Sequence, residues 1–237
     1  GTDGAAQPFF SPDGAWIGFV AHGQLRKISP GGGAPITVTE LPGLVYGGTW
    51  LPDGRIVVSR GARIVIVPER GGAVADAWPD TTTGQLRIHP TVLPDGRTVV
   101  FTRWSGLPET AVLGMATVGT GERSDFALPG TYALGTVDGH LVYAVPNGGM
   151  LAVRFDASRG RIDGQPVPVF EGLAVFTLGA PQAALSRSGS LVYQSGSVRH
   201  QIVLRDRQGV DRTVIPEGLN FVNPRFSPDG TRIAVAL

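Results

Sequence analysis

Cysteine is absent from the 237 residues, which excludes disulfides, thiolate metal sites and thiol nucleophiles while leaving every redox compartment open. Charge is scarce as well. Charged residues make up 16% of the chain and the net charge is +1, with no run of Lys or Arg, so nucleic acid and anionic membranes are not expected partners. No apolar run reaches the roughly 18 residues that a spanning helix needs, and no basic-then-apolar leader is present, so no direct membrane insertion of this segment is expected. Helical periodicity is missing too: no stretch of about eleven residues keeps a 3.6 spacing. The GxSxG elbow, HExxH, EF-hand loop and Walker loop are all absent, which leaves no catalytic residue to nominate from motifs. No metal and no cofactor is expected.

What the chain does have is glycine and proline, 35 and 19 of them, beside 42% hydrophobic residues. That balance belongs to many short strands joined by tight turns. The turns repeat. Ser11-Pro12-Asp13-Gly14, Leu51-Pro52-Asp53-Gly54, Leu93-Pro94-Asp95-Gly96, Thr136-Val137-Asp138-Gly139, Ser186-Arg187-Ser188-Gly189 and Ser227-Pro228-Asp229-Gly230 put their glycines 40, 42, 43, 50 and 41 residues apart. Pro presets the first corner, Asp bonds the backbone ahead of it, and Gly takes the positive φ that closes the hairpin. After each turn two apolar residues alternate with their neighbours: Ile17/Phe19, Ile56/Val58, Val99/Phe101, Leu141/Tyr143, Leu191/Tyr193 and Ile233/Val235. Third strands follow as QLRKIS, RIVIVP, AVLGMATV, MLAVRF and QIVLRD.

A period near forty with four short apolar runs is the signature of a β-propeller blade. The expected fold is therefore all-β: one β-propeller domain over residues 1–237, made of four-stranded blades, five complete and a sixth partial. The repeats span approximately 7–42, 46–80, 86–129, 132–173, 180–219 and 222–237. Six residues before each turn glycine the residue is small or ring-locked (Pro8, Gly48, Pro90, Ala133, Ala183, Pro224), as crowded inner strands require. Four residues before it stand Phe10, Trp50, Val92, Gly135, Leu185 and Phe226. Gly135 breaks that apolar pattern and marks the fourth blade as the least regular. The sequence stops after two strands of the sixth repeat, so the terminal strand is expected to be an edge open to self-association.

The channel mouth, opposite the turns, is the expected ligand face, because loops on a rigid scaffold carry binding residues. Tyr46, Arg60, Arg87, His89, Arg103 and Trp104, with His22, His200 and Asn223, are the candidate ligand-binding residues. Arg forks match carboxylates and an indole offers a stacking face, so an unknown protein, a peptide, or a small anionic or glycan ligand is the expected partner. The Asp of each turn is read as turn stabilisation, and the Gly31-Gly32-Gly33 run as a turn.

Taken together, the turns, alternation and glycine-bearing third-to-fourth turns resemble the WD40-like (PD40) repeats of TolB-type propellers. The stretches PFFSPDGAWIGFV, HPTVLPDGRTVVFTRW, GHLVYAVPNGGMLAVRFD and LRDRQGVDRTVIPEG are most similar to the C-terminal propeller region of bacterial transmembrane serine/threonine kinases. That resemblance implies an extracytoplasmic module cut from a longer chain. It brings no kinase activity, since no glycine-rich ATP loop, HRD or DFG triplet occurs. The expectation is thus a non-catalytic binding or sensor propeller, not an enzyme in itself. The alternative is the propeller part of a hydrolase or lyase, either gating a peptidase or processing sugars and lactones.

Overall fold

A computed structural model describes the chain except residues 1, 79–83, 123–125, 197–201, 206, 216–221, 228, 230 and 237. His200 and the Pro228 and Gly230 of the last turn lie outside the described residues. The described chain is strand and turn, with two single-turn 3-10 segments, Pro108–Thr110 and Thr177–Gly179, and no α-helix.

Residues 1–194 form one compact unit and residues 195–237 a second. In the first, β1 (Ala6–Phe10), β2 (Ile17–Ala21), β3 (Gln24–Ile28) and β4 (Ile36–Glu40) make an antiparallel meander. A second meander contains β5 (Val45–Trp50), β6 (Arg55–Arg60), β7 (Arg63–Pro68) and β8 (Ala75–Asp76). The third contains β9 (Leu86–Val92), β10 (Thr98–Trp104) and β11 (Val112–Thr117), with a fourth position split between β12 (Gly121–Glu122) and β13 (Leu128–Pro129). The fourth repeats this with β14 (Tyr132–Val137), β15 (His140–Ala144) and β16 (Met150–Asp156), then β17 (Arg161–Ile162) and β18 (Val167–Phe170). The hairpin β19 (Ala183–Leu185) and β20 (Leu191–Tyr193) completes the unit. The second unit holds two hairpins, β21 (Ile202–Arg205) with β22 (Asp211–Ile215) and β23 (Val222–Phe226) with β24 (Ile233–Ala236).

The fifth repeat differs from expectation. Its four strands form two separate two-stranded sheets, β19–β20 and β21–β22, rather than one blade. Four blade-like sheets are thus described in place of five.

The second strands β6, β10 and β15 are buried on both faces because their sheets are sandwiched. Ile56 and Val58 join Leu25, Val38 and Leu41 of the first sheet, whereas Val57 of the same strand joins Val99 and Phe101 of the third. Val100 packs with Leu141 and Tyr143 of the fourth, and Val142 with Leu185 and Leu191 of the hairpin. That is why RIVVSR and TVVFTRW read as nearly continuous apolar runs. Consecutive first strands also meet: β1 lies on β5, β5 on β9, β9 on β14 and β14 on β19. The small residues six positions before the turn serve this approach. A Cβ on Gly48 would lie 2.6 Å from the Phe9 ring, and one on Gly18 2.5 Å from it. Phe9 slots between these two glycines and meets Trp50 edge-on, with centroids 6.2 Å apart.

The turn aspartates behave as turn stabilisers. Asp13 accepts from Ser11 Oγ at 2.6 Å and from the Ala15 amide at 3.0 Å. Asp95 accepts from the Thr98 amide at 2.9 Å, and Asp229 from the Thr231 amide at 3.0 Å. The hydroxyl of Ser227 and the groups of Thr231 hold the Asp229 carboxyl down to about 2. The fourth repeat departs, as its sequence suggests. Asp138 and Gly139 both take positive φ, 47° and 74°, between the paired Val137 and His140, a two-residue mirror-image turn.

Candidate functional site

First strands carry β-bulges, and the bulges set where side chains go. In β1, β5 and β9 the register slips by one residue between Ala6 and Phe9, between Val45 and Gly48, and opposite Val100 and Thr102. Seven residues before the turn glycine stand Gln7, Gly47 and His89, with φ of 55°, 118° and 56°. A left-handed residue re-aims its side chain relative to the ladder, and Pro8, Gly48 or Pro90 follows it. A non-glycine residue costs energy there, so His89 sits in a conformation that the surrounding packing must hold.

Three neighbouring sheets meet at this row. A Cβ on Gly47 would lie 3.4 Å from the His89 Cα. The His89 ring in turn lies 5.0 Å from that of Tyr132, at 42°. Tyr132 is the residue seven before Gly139. From the β18–β19 connection, Leu178 (φ 62°) brings its carbonyl to 3.3 Å from His89 Nε2. A carbonyl only accepts, so the ring nitrogen facing it carries the hydrogen. Around these lie Ile88, Trp104 and Ala111, with Tyr46 and Leu178 half-buried against them.

His89 is 4% exposed. Burial pulls its pKa down from 6.5 to about 4, against the carbonyls of Leu178 and Tyr46, which favour the charged ring. The ring is therefore neutral at pH 7. Burial also raises the Tyr132 phenol, keeping it protonated. A neutral imidazole beside a protonated phenol, in a water-poor setting, is a proton acceptor paired with a hydrogen-bond donor.

Of the other residues expected at the ligand face, all but Tyr46 and Trp104 go elsewhere. Arg87 is buried, donates through Nη1 to the Ala62 carbonyl at 2.7 Å, and accepts from Ser59 Oγ at its own carbonyl. The hollow beside it, among Ile64, Asp76 and Trp78, is about 10 Å³, room for about one water. Arg103, opposite Arg87 in the ladder, donates through Nη2 to the Phe126 carbonyl at 2.9 Å. Trp104 is buried in the cluster with Ile88. Arg60 is exposed and donates to the Pro42 carbonyl at 3.0 Å. His22 is exposed in the β2–β3 turn at φ 52°. Asn223 lies in β23 of the second unit, and His200 lies outside the described residues. The structure thus brings Tyr46, His89 and Trp104 together and adds Tyr132 and Leu178, which composition alone did not nominate. Tyr132 carried a signal: it occupies the same repeat position as His89.

No protein-family model matches the sequence, and neither do the curated proteins. Solved structures do match in fold. Regucalcin from Agrobacterium tumefaciens, described as a calcium-binding protein, superposes at a TM-score of 0.58 with 13% identity, over 98% of this chain and 81% of that one. A gluconolactonase from Xanthomonas campestris gives 0.58 and 14%, over 98% and 82%. A structure described as putative TolB from Agrobacterium tumefaciens gives 0.57 and 14%, over 98% and 79%. Other matches are described as lactonases, a luciferin-regenerating enzyme and virginiamycin B lyase. At these identities the likeness establishes an all-β, propeller-type fold that TolB-like proteins share. It also corrects two expectations, that of a non-catalytic binding or sensor module and that of a chain that is not an enzyme. The structures matched are mostly enzymes, and they favour the alternative of a hydrolase or lyase propeller.

Among the described residues no three His, Asp or Glu side chains gather where they could hold a metal ion, so no chemical step below is routed through one.

Proposed function

We propose that this chain is a lactone-processing propeller enzyme, opening a cyclic ester, with His89 and Tyr132 as its acid–base pair. The single observation carrying this is the buried, neutral His89 ring set 5.0 Å from Tyr132 on the inner strands. Gluconolactonases among the structural matches support the substrate class. In this reading His89 takes the proton of an attacking water, the Tyr132 hydroxyl donates to the carbonyl oxygen as negative charge develops there, and the ring C–O bond then breaks as His89 returns that proton to the leaving alkoxide oxygen, giving a hydroxy acid and the neutral imidazole. Leu178 covers the ring, so substrate enters when the turn that carries it swings away.

The finer architecture, five complete blades and a partial sixth, belongs to the same proposal and rests on turn glycines 40 to 50 residues apart, against the two separate hairpins described for the fifth repeat. Placement outside the cytoplasm rests on the kinase-like stretches alone. The test is hydrolysis of glucono-δ-lactone and simple γ- and δ-lactones by purified protein, compared with His89→Asn and Tyr132→Phe. Asn tolerates the left-handed backbone. Turnover that falls about a hundredfold or more in both variants is expected, the usual scale for losing a general acid or base. Turnover unchanged in both, or none on any lactone, refutes the proposal.

A further inference from the structure

The fourth repeat lacks a side chain where its neighbours have one, and the structure is hollow there. Trp50 fills the position four residues before the turn glycine in the second repeat and is 3% exposed. In the fourth repeat Gly135 stands in its place, at φ 145°, with nothing within 4 Å of where a Cβ would lie. The bulge has moved as well. In β14 the register slips between Ala133 and Gly135, nearer the turn than the bulges of β1, β5 and β9. What results is a cavity of about 170 Å³ at the turn-bearing ends of three consecutive first strands, β9, β14 and β19. It lies at the other end of these strands from the loop that carries Leu178.

The walls say what would fit. Val92, Leu93, Leu134 and Leu185 supply apolar surface, Thr136 and Ser186 hydroxyls, and Arg187 a cation on the turn. Thr91 Oγ1, also in the wall, is already donated to the Ala133 carbonyl at 2.8 Å. Ser186 Oγ accepts from the Ser190 amide at 2.9 Å. Among the described residues of the lining, Arg187 carries the one formal charge. A cavity of about 150 Å³ is enough for a benzene-sized guest.

We propose that this cavity is a binding site for a small aromatic or cyclic carboxylate, its ring lodged in the space left by Gly135 and its carboxylate on the Arg187 guanidinium. A guanidinium fork matches a carboxylate, and apolar walls match a ring of that size. The site is independent of the His89 chemistry and holds whether or not lactones are turned over.

The test uses benzoate as the probe on the full chain, followed by amide chemical shifts, with benzyl alcohol as the uncharged comparison. Saturable benzoate shifts centred on Gly135 and Arg187 are expected, weaker by about tenfold or more in Arg187→Gln, the scale of one charge-assisted hydrogen bond. Benzyl alcohol should bind the wild type and Arg187→Gln alike. Thr136→Phe, which fills the cavity, should abolish both ligands' shifts, and its folding is read from the same spectrum. Absence of saturable shifts, equal benzoate affinity in Arg187→Gln, or shifts centred elsewhere overturns the proposal.

Discussion

Lowering the pH below neutrality should destabilise this protein, and His89 sets the size of the effect. Its pKa falls from 6.5 to about 4 on folding, because the ring is buried beneath Leu178 and against Tyr132. Below 6.5 the unfolded chain binds a proton that the folded chain refuses until about pH 4. Folding stability is therefore complete above 6.5, declines as pH drops through that window, and levels off below about 4. A gap of that size corresponds to about 3 kcal/mol, a large share of a typical domain's stability. Asp13, Asp53, Asp156, Asp211 and Asp229 act later, since hydrogen bonds hold all five carboxyls below the ordinary 3.8 when folded. Urea unfolding followed by tryptophan fluorescence across pH 7.5 to 4.5 measures the slope. The variant His89→Asn keeps a residue suited to φ 56° and removes the titrating ring, so its stability should change little over the same range. Parallel curves for wild type and variant would show that His89 does not carry the linkage, and the buried neutral ring would have to be abandoned.

Two further substitutions probe the seams between sheets. Thr102→Val removes a fully buried hydroxyl that donates to the Thr131 carbonyl at 2.8 Å, and should cost about 1–3 kcal/mol by leaving that carbonyl short of a donor; an unchanged urea midpoint would contradict it. Gly48→Ala drives a Cβ to 2.6 Å from the Phe9 ring and should cost about 1–3 kcal/mol from overpacking, while adding Phe9→Leu should recover part of the loss, and strictly additive effects would rule out the contact as its cause.

Much of the architecture was legible because it depends on local chemistry repeated at a fixed interval. The Pro-Asp-Gly corners, the alternation after them and the small residue six places earlier each report a backbone requirement that one sequence window can state. The fifth repeat was less legible. Its apolar runs match the pattern, yet β19–β20 and β21–β22 pair separately, and sheet pairing depends on neighbours that no window contains. The site residues were harder still. Arg87, Arg103 and Trp104 read as a basic, aromatic loop. In the structure β9 and β10 run seven residues each, to Leu86 and Trp104, and carry these side chains into the sheet. There both guanidiniums bond main-chain carbonyls, of Ala62 and Phe126. Composition records that a charge exists but not which carbonyl takes it.

The bulge position shows where fold and site separate. Its location is a property of the repeat: an extra residue on the first strand, followed by something small enough for adjoining first strands to touch. Its occupant is free of that constraint: Gln7, Gly47 and His89 stand there in the first three repeats, and Tyr132, Gln182 and Asn223 stand at the same distance from the turn glycine in the others. Gly47 takes the left-handed backbone without cost and leaves room beside the His89 backbone. His89 pays conformational strain for the same geometry, and only its neighbours can sustain it: the Leu178 carbonyl, the Tyr132 ring and the cluster of Ile88 with Trp104. Strain held in place by surrounding packing is a feature that functional sites use. Moving the bulge toward the turn in the fourth repeat has the complementary effect, seating Tyr132 in regular strand against His89 while opening the hollow at Gly135. One displaced residue in β14 thus bears on both ends of the same strand, setting the Tyr132 ring against His89 at the entry and leaving a cavity beside Arg187 at the exit.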